Sequence, residues 1–217
     1  MAVDTTCEFK SQARFRNKNS KTIKEMAKKT RFDNQEFDSV CLVYFKLQEE
    51  LGPTATNITR MQFRSVLYQV FNMPEDSMIE RIMVVLDKNI TPYVTLETWL
   101  VAMSIYLRGT LNEKIAYCFA AYDIIGDGII KRDQIIALMR NTIIKHQVED
   151  VEEAVKDFVD IIIKKFDIDL DGAISLNDFK TTIQQNPALL ETFGQCLPDR
   201  AAVFGFLTTF THKINKL

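Results

Sequence analysis

At 217 residues, 47% of them hydrophobic, the chain is long enough for one domain or two small ones with a real core. Its formal net charge is only −2, and no apolar run approaches the ~18 residues that cross a bilayer, so neither nucleic-acid binding nor membrane insertion is expected. Four scattered cysteines (Cys7, Cys41, Cys118, Cys196) contain no C-x-x-C pair, which gives neither a zinc site nor a disulfide framework and suits a reducing compartment.

Residues 1–31 are polar and basic: Lys10, Arg14, Arg16, Lys18, Lys21, Lys24, Lys28, Lys29 and Arg31 stand against Asp4, Glu8 and Glu25. This composition predicts a solvated, flexible arm that could grip an acidic partner such as a tubulin surface. No signal peptide is read, and the Met-Ala start lacks the Met-Gly myristoylation signal.

From about Asn34 the period becomes helical. Phe37, Val40, Cys41, Tyr44, Phe45 and Leu47 fall on one face, and Gly52-Pro53 ends the run. A second helix is predicted from about Met61 (Phe63, Val66, Leu67, Val70, Phe71) and a third around Met78, Ile82, Met83 and Leu86. After Thr91-Pro92, a fourth carries Trp99, Ala102, Met103 and Tyr106. At the far end Val203, Leu207, Phe210, Ile214 and Leu217 form a heptad-like stripe. So short a helix must dock, and its tethering beside the C-terminal lobe predicts that lobe as its seat.

The most informative stretch is Asp167–Asp178, D-I-D-L-D-G-A-I-S-L-N-D. Oxygen-bearing side chains occupy places one, three, five and nine (Asp167, Asp169, Asp171, Ser175). Gly172 takes the sharp turn at six, Ala173 offers its carbonyl at seven, and Asp178 closes at twelve. That spacing is an EF-hand loop, which wraps a hard divalent cation in oxygen ligands. The closing residue is usually Glu. The shorter Asp178 should hold Ca²⁺ less well and suit Mg²⁺ better.

Aligned on this loop, the apolar eighth place recurs at Ile58, Val94, Ile130 and Ile174, at spacings of 36, 36 and 44 residues. A helix–loop–helix unit is about that long, so four units are expected, paired into two lobes. In each lobe the eighth places should meet in a short antiparallel bridge, Ile58 with Val94 and Ile130 with Ile174. The expected layout is an arm over 1–31, an N-terminal lobe over 32–108, a C-terminal lobe over 109–200 and an amphipathic helix over 201–217. The other three loops are eroded. Asp123–Gln134 has Ile125, Lys131 and Gln134 at ligand places. Asp87–Thr98 keeps Asp87 and Asn89 but has Pro92 at the turn, and Leu51–Gln62 has no carboxylate. One Ca²⁺ or Mg²⁺ site is therefore expected.

His146 and His212 read as surface residues, Met103 and Met139 as candidates for a partner-binding groove, and no nucleophile elbow, P-loop or H-E-x-x-H motif suggests an enzyme.

Several stretches carry a family resemblance: Asn72–Arg81 (N-M-P-E-D-S-M-I-E-R), Leu107–Phe119 (L-R-G-T-L-N-E-K-I-A-Y-C-F), the Asp-closed loop, and Phe193–Asp199 (F-G-Q-C-L-P-D). With these the chain resembles the calaxins, EF-hand proteins of cilia and flagella, from about Thr30 to about Arg200. The resemblance implies an all-α protein that docks on and regulates outer dynein arms of axonemes. The implied partners are dynein heavy chain, docking-complex proteins and the doublet microtubule. The family pattern places ligands in the second, third and fourth loops, and here the second and third have lost theirs. The alternative is a calcium-sensor subunit of an enzyme or channel, like calcineurin B.

Overall fold

The computed structural model describes residues 9–73, 77–87, 91–143 and 151–209. In chain order the elements are α1 (Phe9–Lys18), α2 (Ser20–Lys29), α3 (Asn34–Glu49), β1 (Ile58–Thr59), α4 (Arg60–Gln69), α5 (Ser77–Leu86), β2 (Tyr93–Val94), α6 (Leu96–Arg108), α7 (Leu111–Tyr122), β3 (Ile129–Lys131), α8 (Arg132–Ile143), α9 (Val151–Phe166), β4 (Ala173–Ser175), α10 (Leu176–Gln185), a 3₁₀ turn (Pro187–Leu189) and α11 (Arg200–Thr208). They form two compact units, one from Met1–Met73, Leu86–Gly109 and Pro198–Leu217, the other from Pro74–Val85 and Thr110–Leu197.

The expected bridges are present. β1 and β2 are antiparallel with Ile58 opposite Val94, and β3 and β4 with Ile130 opposite Ile174. All four residues are buried, because each supplies the apolar contact that joins two loops back to back. Three of the helices that follow, α4, α6 and α10, start on the same device. The ninth loop residue caps the helix and the twelfth reaches back: Thr59 with Gln62, and Ser175 with Asp178, are complete capping boxes, and Thr95 accepts from the Thr98 amide.

The core of the first unit is built on Trp99, whose indole N–H donates to the Val40 carbonyl (3.1 Å), and Tyr44, whose hydroxyl donates to the Val94 carbonyl (2.9 Å). Glu36 closes the capping box at the start of α3 and pairs with Arg108 at the end of α6, both side chains well buried.

Two expectations are corrected in this unit. The basic segment is not a flexible arm over residues 9–29 but two helices, with α1 against α3 and α2 against α6. Its few apolar residues suffice as anchors: Phe15 lies 5.0 Å from Phe45 and 6.2 Å from Tyr44, and Met26 is buried. The C-terminal helix also docks elsewhere than expected. α11 packs on α6, Phe206 lies 5.1 Å from Phe71, and the Asp199 amide donates to the Phe71 carbonyl (3.4 Å), so its seat is in the first unit rather than in the C-terminal lobe. This seat buries Val203, Phe206 and Leu207, and the apolar surface that covers them, not proximity along the chain, decides where the helix lies. Phe210, Ile214 and Leu217 of the stripe lie outside the described residues, as do Asn89, His146 and His212.

The second unit holds the fourth loop. It also takes in most of α5, which sequence order assigned to the N-terminal lobe. Arg81 explains the placement. Its guanidinium donates to the carbonyls of Ala121 (3.2 Å) and Asp123 (2.8 Å), capping the C-terminus of α7. Met103 and Met139 are both buried core residues of their units, not groove residues.

Candidate metal centre

The fourth loop spans the turn from α9 into α10. Asp167 ends α9 and is buried. Its Oδ1 accepts from the Asp171 amide (3.2 Å) and its Oδ2 from the Gly172 amide (3.0 Å). Asp169 Oδ1 also accepts from the Asp171 amide (3.4 Å), and Asp171 Oδ1 from the Ala173 amide (2.9 Å). These bonds fold the loop inward, and one carboxylate oxygen from each of Asp167, Asp169 and Asp171 lies within 4.8 Å of the others. Gly172 provides the turn at φ +86°. Leu170, at the fourth place, also adopts a left-handed backbone (φ +60°), which an L-residue with a large side chain enters at a cost.

The remaining two predicted side-chain ligands lie at the head of α10. Asp178 is buried, and its Oδ2 accepts from the Ser175 hydroxyl (2.5 Å) and amide (3.0 Å). The structure thus gathers Asp167, Asp169 and Asp171, and it couples Ser175 to Asp178. Ala173 sits in β4, opposite Lys131.

The electrostatics favour a cation. Crowding in the loop removes water from the Asp169 carboxyl, and the charges of Asp171, Asp178 and Asp167 add to this, so its pKa is raised. Three converging carboxylates, a fourth buried in the same loop and a backbone turned by Gly172 fit a hard divalent ion with oxygen ligands.

The third loop follows a similar path, with an internal ion pair and with Gln134 Nε2 buried and without a hydrogen-bond partner among the described residues. Asp123 accepts from the amides of Gly126 (2.7 Å) and Gly128 (2.8 Å), much as Asp167 does in its own loop. The cation here is internal: Lys131 Nζ lies 3.1 Å from Asp127 Oδ2, and this ammonium holds the Asp127 carboxyl below the usual range. At the closing place Gln134 accepts from the Lys131 amide (3.3 Å). In the second loop Asp87 Oδ2 accepts from the Thr91 hydroxyl (2.5 Å) and amide (2.9 Å).

A connection out of the fourth loop is built from aromatic rings. Phe166 and Phe179 flank the loop and stack at 5.6 Å. Phe193, from the F-G-Q-C-L-P-D stretch, lies 5.4 Å from Phe166, 6.1 Å from Phe179 and 5.0 Å from Tyr122, and is fully buried. The position of Phe193 was legible only as a stretch without a role, because nothing in its spacing points at the loop.

Comparison with known proteins shows similarity to EF-hand proteins. The EF-hand domain pair family matches residues 112–184, which cover the third and fourth loops. Calaxin of Danio rerio is 41% identical over 70% of this chain and 73% of its own length, and calaxin of Xenopus laevis 37% over 81% and 86%. Guanylyl cyclase-activating protein 1 of Lithobates pipiens is 28% identical over 58% of this chain and 61% of its own length. The chain belongs to the calaxin family of calcium-binding EF-hand proteins.

Proposed function

We propose that this protein is a non-catalytic regulatory subunit that docks on outer dynein arms of cilia and flagella and holds one divalent cation. The ligands would be Asp167, Asp169, Asp171, the Ala173 carbonyl, Ser175 and Asp178. The observation that carries the reading is the convergence of three loop carboxylates in a chain of calaxin ancestry. A bound Ca²⁺ or Mg²⁺ supplies positive charge where the carboxylates now repel one another. Because Asp178 closes the loop with one methylene fewer than Glu, Mg²⁺ at millimolar concentration competes with Ca²⁺. Any shift of Phe166 or Phe179 on binding meets Phe193 directly, which gives the loop a mechanical route to the segment Phe193–Asp199.

Docking is supported by the charge on the first two helices. Lys18, Lys21, Lys24, Lys28 and Lys29 lie on α1 and α2, a basic surface on fixed helices that suits acidic partners such as the doublet microtubule. The dynein heavy chain and docking-complex proteins follow from the family resemblance, as does a place in the axoneme. The test is recovery of the tagged protein from ciliated cells. Outer-arm dynein chains should co-purify with it, and recovery of a phosphatase or channel in their place would favour a calcineurin B-like role.

A further inference from the structure

Cys118 lies in the middle of α7 and Cys196 in the irregular segment between the 3₁₀ turn and α11. Both are fully buried, neither is in a disulfide, and their Sγ atoms are 2.9 Å apart across a sequence separation of 78 residues. Non-bonded carbon atoms rest about 3.5–4.0 Å apart, and sulfur is larger, so this contact is closer than packing alone requires. It is only about 0.9 Å longer than a disulfide bond.

The placement is built rather than incidental. The Tyr122 hydroxyl, one turn along α7, donates to the Gly194 carbonyl (2.7 Å) and lies 3.3 Å from Cys196 Sγ. Glu191 Oε1 accepts from the amides of Cys196 (3.0 Å) and Leu197 (2.8 Å). The Tyr122 hydroxyl and the Glu191 carboxylate therefore fix the backbone from Gly194 to Leu197, with the Cys196 sulfur against the Cys118 sulfur of α7.

We propose that Cys118 and Cys196 are an oxidisable dithiol that locks this segment onto α7. The oxidant is a peroxide. One thiolate sulfur attacks the peroxide, forming an S–O bond as the O–O bond breaks, and gives a sulfenic acid and water. The second sulfur then forms the S–S bond as the S–O bond breaks, releasing a second water. Two thiols and one hydrogen peroxide become one disulfide and two waters. In the closed segment, burial pushes the Cys118 thiol well above its ordinary value, and the adjoining Cys196 adds to this, so the thiolate is scarce there. Reaction proceeds when the segment from Glu191 to Asp199 opens, and closure then presents the second sulfur. The bridge is reversed by a dithiol reductant.

The experiment uses the full-length protein, with its four cysteines, treated with hydrogen peroxide at neutral pH and then denatured in a thiol-blocking reagent. The expected result is an intact mass lower by about 2 Da before alkylation, for the two hydrogens lost. A non-reducing peptide map should join the peptides of Cys118 and Cys196, and dithiothreitol should restore the starting mass. Cys196→Ser, checked for native circular dichroism, should not form the bridge. Addition of oxygen without loss of hydrogen in the wild-type chain, or a bridge that uses Cys7 or Cys41 instead, would overturn the proposal. Because the wild-type protein carries the primary readout, the result does not depend on the variant folding.

Discussion

Within the fourth loop the carboxylates of Asp167, Asp169 and Asp171 converge. The raised pKa of Asp169 means that the folded chain takes up a proton there more readily than the unfolded chain. Its contribution is therefore destabilising above the raised pKa and disappears as pH falls below the ordinary carboxylate value of ~3.9. Asp169→Asn should then move two properties in opposite directions at neutral pH, raising the melting temperature of the metal-free protein and weakening Ca²⁺ binding. Calorimetry and thermal melts on the same sample check both, and a fall in both would show that Asp169 has a structural role instead. The neighbouring Leu170 carries a different burden. Its left-handed backbone costs about 1–2 kcal/mol for an ordinary L-residue. The third loop places Gly126 (φ +78°) at the same position. Leu170 is largely exposed, so Leu170→Asn sacrifices little packing and should stabilise the protein by about 1 kcal/mol in urea unfolding.

Between elements, three of the four loops share helix-capping chemistry, while the residues at the ligand places differ from loop to loop. In the third loop Lys131 pairs with Asp127, and the twelfth residue, Gln134, satisfies the Lys131 amide. Restoring oxygen ligands in the triple variant Ile125→Asp, Lys131→Ser, Gln134→Glu should create a second Ca²⁺ site. Lys131→Ser alone, which removes an exposed ion pair, should change stability by no more than about 0.5 kcal/mol. Titration of the triple variant with Ca²⁺ checks this, and no gain of a site would show that oxygen ligands on this path are not enough to hold the ion. The C-terminal helix gives a sharper contrast. Leu207 is fully buried and Phe204 is 44% exposed, three residues apart on α11. Leu207→Ala should cost about 2–5 kcal/mol through the cavity it leaves, whereas Phe204→Ala should be near neutral. Equal effects in thermal or urea unfolding would contradict the docked orientation of α11.

For the whole molecule, what sequence disclosed followed the physics of each signal. The bridges Ile58–Val94 and Ile130–Ile174 were legible because an apolar residue at a fixed place in a repeated loop has one structural reason to be there. The convergence of Asp167, Asp169 and Asp171 was legible because oxygen-bearing side chains at alternate places of such a loop face one point. The helices of the basic segment were not, since Phe15 and Met26 are isolated among charges and their anchoring depends on pockets made by distant residues. The stripe on α11 announced that it must be covered but not by which unit. The contact of Cys118 with Cys196 had no signal at all across 78 residues. The proposed function sets a stoichiometry of one divalent cation per chain. Calorimetric titration of the metal-free full-length protein with Ca²⁺ reads that stoichiometry. One site per chain, competed by Mg²⁺ and abolished by Asp167→Ala, is expected. Two sites of similar strength, or a site that survives Asp167→Ala, would refute it.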